Sequence, residues 1–287
     1  MGCYRELSLT HIWHGVRQAA HIRSSPTVAS VFAMSIGAEL TPDPAPAPNL
    51  APDHQPDGNL YKAYRDEVGP ERTLTIGGVL NARDIGGLLG AQGKVRTGRV
   101  LRAARLSRLT DEGANTLADL GLKTVIDIRT PEERDEEPDR VAGVPSLEEV
   151  AEARIELLTT LDGLPVTSRD LYRYLADSCG NSIVKVLECL AKPNALPALV
   201  HCHVGKDRTG LLIALLLELL DVPRELILAD YIASNAGLGS AAYTTVHAEI
   251  LTWTLEGLAE RYGSTRGYLD AHGLTEETVS ALRSALL

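Results

Sequence analysis

The order of apolar and polar positions divides the chain into two unequal parts. From about residue 73 onward, short apolar runs alternate with longer amphipathic stretches. Thr73 to Leu80, Arg99 to Ala103, Lys123 to Ile128 and Arg154 to Leu158 are short and aliphatic or β-branched, and each is read as a strand. Thr110, Asp111 and Glu112 open a helix that runs to about Leu120, with Thr110 as its N-cap and Gly121 as its stop. Ser168 to Ala191 keeps a helical period along its length, which predicts one long amphipathic helix. Pro197 to Val200 reads as a brief buried strand, and Leu211 to Leu220 as an almost wholly apolar helix. Four further helical stretches begin near Pro223, Ala241, Ser264 and Thr275. Strands alternating with helices, then helices alone, predict an α/β fold. Its centre is a mostly parallel sheet flanked by helices, with a helical C-terminal part.

Residues 1–58 lack this alternation. Pro42, Pro44, Pro46, Pro48, Pro52 and Pro56 crowd one segment, which therefore reads as an extended linker rather than packed structure. Ahead of it, residues 1–33 carry Arg5, Arg17, Arg23, three histidines and a single acid, Glu6, unlike the acidic body. The expectation is a leader plus Pro-rich linker over 1–58, either disordered or ahead of a true start at Met34, and a catalytic domain over 59–287. Val28 to Ala38 is only modestly apolar and is broken, so a cytoplasmic protein is preferred to a secreted one.

Charge and cysteine content narrow the function classes. The net charge is -10, so a broad nucleic-acid surface is excluded and any affinity for anions must be local. Cys3, Cys179, Cys189 and Cys202 show no CxxC spacing, which argues against structural zinc and favours a reducing compartment. No run reaches the length of a membrane span. The sequence leaves the oligomeric state open.

The candidate chemistry sits in His201-Cys202-His203-Val204-Gly205-Lys206-Asp207-Arg208-Thr209-Gly210, between the brief strand and the apolar helix. A loop in that position ends on a helix N-terminus, whose free N–H groups and dipole favour an anion. The same field lowers the pKa of a thiol, to roughly 4–7 at such sites. Successive N–H groups can wrap a tetrahedral oxyanion, and Arg208 can hold two of its oxygens as a fork. Gly205 permits a positive φ or a close backbone approach, and Thr209 is placed to hydrogen-bond the sulfur. Lys206 adds a cation and Asp207 an anion beside it. A thiolate, an anion cradle and a guanidinium in one turn suit attack on a phosphate ester.

This string resembles the signature loop of cysteine-dependent protein tyrosine phosphatases. More narrowly, it resembles the bacterial tyrosine-protein phosphatases whose loop carries Gly-Lys-Asp-Arg-Thr-Gly, a branch that includes dual-specificity and phosphoinositide phosphatases. The resemblance extends to Asn81-Ala82-Arg83-Asp84-Ile85-Gly86-Gly87, Leu101 to Ser107, Val125-Ile126-Asp127-Ile128-Arg129 and Ala229-Asp230-Tyr231, over about residues 73–287. It implies a phosphotyrosine protein phosphatase-like fold and hydrolysis of phosphate monoesters through a cysteinyl-phosphate. Phosphotyrosine in proteins is the leading substrate, with dual specificity included. Phosphoinositides or inositol phosphates are the alternative substrates, and a catalytically weak phospho-ligand binding module is the third reading. The implied nucleophile is Cys202. Arg208, His203, Val204, Gly205, Lys206 and Thr209 hold the phosphate, and Arg129 either joins them or forms a buried structural ion pair, with no metal and no cofactor.

The proton donor is less defined. Phosphatases of this kind often use a Trp-Pro-Asp loop, but neither Trp13 nor Trp253 precedes Pro-Asp. Asp127, Asp207 and Asp162 are the candidates. Asp127 is taken as the acid, and Asp207 as a structural or water-positioning carboxylate. Arg102 and Arg105 read as solvated surface arginines or pocket-lining ones, the former on composition. Arg83 and Asp84 read as a turn and an ion pair, and Asp230 as a brace for the loop.

Overall fold

The computed structural model describes residues 72–287, apart from 145–147, 151–153, 157–159, 162–163, 166 and 240–244. The leader and linker expected over 1–58, and Asp162, lie outside the described residues. In chain order the elements are β1 (Arg83–Asp84), β2 (Leu89–Gly90), β3 (Gly93–Lys94), β4 (Val100–Ala103), α1 (Asp111–Asp119), β5 (Thr124–Asp127), α2 (Pro131–Glu136), β6 (Glu148–Val150), β7 (Thr160–Leu161), β8 (Leu164–Pro165), α3 (Ser168–Ser178), α4 (Gly180–Ala191) and β9 (Ala198–His201). Five helices complete the chain: α5 (Asp207–Leu219), α6 (Arg224–Leu238), α7 (Ala248–Tyr262), α8 (Thr265–Ala271) and α9 (Glu276–Leu286).

The main sheet has the order β1-β4-β9-β5-β6. β4, β9, β5 and β6 run parallel, and β1 joins the edge antiparallel to β4. Alternation along the strands separates two cores, because successive side chains point to opposite faces. Val100, Ile126, Ala198 and Val200 pack with the apolar faces of α3 to α7 and α9. Leu101, Ala103, Val125 and Leu199 pack with Ala114 and Leu117 of α1 and with Ile76 and Val79. Helices therefore cover both faces, as a parallel sheet requires. α5 is buried nearly all round, from Arg208 through Leu217, which accounts for its unbroken apolar sequence.

The register places the site. His201 pairs with Ala103 on one side and Asp127 on the other. Three parallel strands thus end level with one another, and Cys202 leaves the middle one at the carboxyl edge, where ligands bind in such sheets. Gly205 has a φ of +69°, and a Cβ there would lie 2.2 Å from the Ala103 carbonyl oxygen. Only glycine lets the loop lie this close to the end of β4.

Several elements differ from the sequence expectation. Thr73 to Leu80 forms only isolated bridges, Thr73 to Arg83 and Ile76 to Val79, because the chain turns back at Gly77-Gly78, where φ is +79°. Arg154 to Glu156 carries no strand; the edge strand beside β5 is β6, at 148–150. The single helix expected over Ser168 to Ala191 breaks at Cys179 into α3 and α4. There Gly180 abuts the His272 ring, whose carbons would sit 2.4 Å from an added Cβ. The helix expected near Ala241 begins at Ala248. α1 matches closely: the Thr110 side chain accepts from Gly113 N, and Gly121, at φ +66°, follows its end. No helix among the described residues is long and apolar enough to cross a membrane.

Candidate active site

The loop from Cys202 to Lys206 joins β9 to α5, so it runs directly into the N-terminus of a thirteen-residue helix, with Lys206 at the N-cap position. The Cys202 side chain is buried, and its sulfur accepts a hydrogen bond from the Gly205 N–H at 3.2 Å. Burial alone would raise the thiol pKa. The Arg208 guanidinium and hydrogen bonding from the Thr209 hydroxyl and N–H outweigh it, and the Cys202 thiol lies below its ordinary value. The buried Thr209 hydroxyl makes no other hydrogen bond among the described residues.

Arg208 is buried and forks onto Glu133. Its Nη1 and Nη2 donate to the two carboxylate oxygens at 2.6 and 2.7 Å, and Nη1 also donates to the Ile155 carbonyl at 3.3 Å. Burial works against both charges, yet their mutual bonding keeps Glu133 ionised below its usual range and holds Arg208 protonated more firmly than usual. Glu133 is also the third residue of α2, where Thr130 caps the helix and the Glu133 carboxylate accepts from Thr130 N at 2.9 Å. The sequence expectation did not include Glu133 in the site; the Thr130-Pro131-Glu132-Glu133 capping pattern was its one local signal.

Beneath the loop lies a second buried cluster. Arg129 donates to both Asp127 oxygens, from Nε at 2.9 and 3.1 Å and from Nη2 at 2.8 Å, and Nη2 also lies 3.0 Å from Asp139. His201 spans from the Cys202 carbonyl, 3.1 Å from Nδ1, to Asp139, 3.0 Å from Nε2. Burial opposes the charge on His201, but Asp139 and Asp127 raise its pKa. Burial likewise favours a neutral Asp127, and Arg129 and His201 overcome it, so its carboxyl lies below the usual range. Asp127, Asp139 and His201 offer ligand atoms close enough together for a metal. Arg129 already places its positive charge between the two carboxylates, so a metal ion would have to displace it.

Arg129 is thus engaged by Asp127, Asp139 and the Glu137 carbonyl, which it reaches at 2.8 Å. His203 is half-buried, and burial together with Arg105 lowers its pKa to about 4, so it is neutral at physiological pH. Val204 is half-buried and Lys206 buried, with its Nζ 3.6 Å from the Asp207 carboxylate. Asp207 opens α5 and accepts from the Tyr172 hydroxyl at 3.2 Å, and that hydroxyl pairs with Tyr231 at 2.6 Å. No sequence signal connected Tyr172 or Tyr231 with Asp207.

Arg102 is buried rather than solvated, which corrects the reading from composition. It belongs to a hub in which one carboxylate, Asp230 of α6, meets Arg72, Arg83 and Arg102 at 2.9, 3.1 and 2.6 Å. Burial raises the Asp230 pKa, and the three guanidiniums drive it far lower. For Arg102, burial and the neighbouring Arg83 bring its pKa down to about 10. Asp84 instead shapes a turn by accepting from Gly86 N and Gly98 N. The hub reaches the loop: Arg102 donates to the Gly205 carbonyl at 2.9 Å, and Asn81 donates to the Val204 and Gly205 carbonyls at 3.2 and 3.0 Å.

A parallel sheet with helices on both faces, and a buried acidified thiol held at a helix N-terminus beside an arginine, defines the class of cysteine-based phosphoric monoester hydrolases. The chain belongs to the tyrosine phosphatase family, whose model matches residues 74–287. It is 29% identical over 273 residues to the triple specificity protein phosphatase PtpB of Mycobacterium tuberculosis, covering 73% of this chain and 97% of that protein. It is 27% identical over 215 residues to a tyrosine-protein phosphatase of Nostoc commune, covering 65% and 73% respectively. Among solved structures, TpbA of P. aeruginosa aligns over 61% of this chain and 86% of its own, at 16% identity and a TM-score of 0.37.

Proposed function

We propose that this chain hydrolyses phosphotyrosine in proteins, with dual specificity included, through a phosphocysteine intermediate on Cys202. The carrying observation is the buried Cys202 sulfur in the loop ahead of α5, where it accepts from the Gly205 N–H and where the Arg208 charge favours the thiolate. The Cys202 thiolate attacks phosphorus in line, and the P–O bond to the leaving group breaks. Loop N–H groups and Arg208 take the charge on the equatorial oxygens, with Lys206, His203, Val204, Gly205 and Thr209 forming the walls. Water then cleaves the S–P bond and releases inorganic phosphate and the thiolate.

Asp127 is assigned as the proton donor and Asp207 as the positioning carboxylate. Asp207 is tied to Tyr172, which suits a fixed group. In the free protein Asp127 is ionised and paired, so the negative charge of a bound phosphate dianion must raise its pKa before it can donate. Arg129 is assigned to hold Asp127 rather than to touch substrate. The catalytic domain is assigned to residues 59–287, with 1–58 outside it. The cysteine spacing, with no CxxC pair, supports a reducing, cytoplasmic setting.

Phosphoinositides are the second reading, favoured by Lys206 as an additional cation in the loop. The test is turnover by wild type and Cys202→Ser on phosphotyrosine, phosphoserine and phosphothreonine peptides and on phosphoinositides. The proposal expects phosphotyrosine peptides to be hydrolysed and the variant to be inactive yet still to bind them. Full activity in Cys202→Ser would remove the cysteine mechanism; turnover confined to lipids would transfer the function to the second reading.

A further inference from the structure

The loop carbonyls are tied outward, one after another. His203 O accepts from the Arg105 N–H at 3.1 Å, Val204 O from the Asn81 amide at 3.2 Å, and Gly205 O from the same amide at 3.0 Å and from Arg102 at 2.9 Å. In a trans peptide the C=O and the following N–H point in opposite directions. Outward carbonyls at 203, 204 and 205 therefore aim the N–H groups of Val204, Gly205 and Lys206 inward. The Gly205 N–H bond to the Cys202 sulfur shows this directly for one of the three.

The groups that tie these carbonyls are themselves locked. Asn81 sits in the left-handed region, at φ +55°, with its side-chain oxygen accepting from Arg83 at 2.5 Å. Arg83 is fixed by the Asp230 carboxylate, the Asp230 carbonyl at 2.8 Å and the Ser234 hydroxyl at 3.1 Å. Arg102 is fixed by the same carboxylate at 2.6 Å. Three guanidiniums thus share one carboxylate in this hub, and two of them, Arg83 and Arg102, connect it to the loop side.

We infer that Asn81 and Arg102 are positioning residues for the phosphate cradle: held by Asp230 and Arg83, they turn the Gly205 and Lys206 N–H groups toward the reacting phosphoryl group. The inference rests on the phosphatase reading above. Neither residue touches substrate; each acts by fixing peptide planes, so that the donors need no reorientation as charge develops. Their effect is felt at the thiolate as well, because the Gly205 N–H is one of the groups that bond the sulfur.

The test uses the full chain with Asn81→Gly and Asn81→Asp. Glycine accepts the positive φ without strain and removes the amide; aspartate keeps the shape and removes the donor. Turnover of an aryl phosphate, inhibition by orthovanadate, which mimics the five-coordinate phosphoryl group, and the pH midpoint of Cys202 alkylation are measured beside thermal melting. The expected result is a fall in kcat of roughly 10²-fold with KM less affected, vanadate inhibition weakened by a similar factor, and an alkylation midpoint moved upward. A merely structural role would lower the melting temperature without moving the alkylation midpoint. Arg102→Lys, which keeps the charge and loses the fork, is the companion variant and must weaken vanadate in the same direction. Unchanged vanadate inhibition and alkylation in the folded variants overturns the inference. It does so within an active enzyme, whereas an active Cys202→Ser would instead overturn the phosphatase reading.

Discussion

Removing the charge of Glu133 while keeping its shape, as in Glu133→Gln, tests whether this carboxylate is what holds the phosphate-binding arginine. Arg208 gives Glu133 two of its nitrogens at 2.6 and 2.7 Å, and both side chains are nearly inaccessible to water. Breaking such a pair leaves a buried guanidinium uncompensated, a loss of about 3–5 kcal/mol. The amide oxygen of glutamine keeps one acceptor, but its NH2 faces an arginine donor, so the lower end, about 3 kcal/mol, is expected. With a urea m-value near 2 kcal/mol/M, that lowers the denaturation midpoint by about 1.5 M. An arginine released from its seat also misplaces the clamp, and kcat/KM on an aryl phosphate should fall by roughly 10²-fold. Equilibrium urea unfolding and steady-state kinetics on one preparation give both numbers. An unchanged midpoint with unchanged kcat/KM would refute the reasoning, since it would mean that Arg208 has an adequate seat without Glu133.

Two further outcomes follow from the buried carboxylates. Asp127→Asn should slow alkyl phosphate turnover by about 10²–10⁴-fold and aryl phosphate turnover less, because a good leaving group needs little protonation; no loss of rate, or the same loss on both substrates, would remove Asp127 as the donor. Asp230 has a depressed folded pKa, so the unfolded chain binds more protons as pH falls below about 4. The stability it contributes is complete above that pH and lost progressively below it. Urea midpoints in Asp230→Asn should therefore be lower than wild type at neutral pH and lose this acid dependence; retention of the full wild-type slope below pH 4 would contradict the assignment.

What was legible in the sequence is what is local. The Thr110 cap, the Gly121 stop, β9, the loop and α5 depend on neighbours within a few positions, and their residue types show it. Cys202, Arg208 and Thr209 share one turn, so their proximity followed from spacing alone. Distant partners were not legible. Arg102 reads as an ordinary charged residue until Asp230 is brought to it from 128 positions away. Glu133 is visible as a capping residue, yet nothing local shows that the same carboxylate serves Arg208, 75 positions on. The break between α3 and α4 arises where His272 packs on Gly180, again a contact from far along the chain.

The Asp230 hub has a consequence for how the protein comes to be active. Its arms, Arg72, Arg83 and Arg102, lie 158, 147 and 128 positions from Asp230. Contacts of such long range close large loops and are expected among the slower to form. A chain still emerging from the ribosome could display the signature loop without α6 beneath it. Such an intermediate would hold Cys202 and Arg208 but not the oriented cradle. Activity should therefore appear late and all at once in refolding, after helical content has largely recovered, and a chain ending before Asp230 should be born inert.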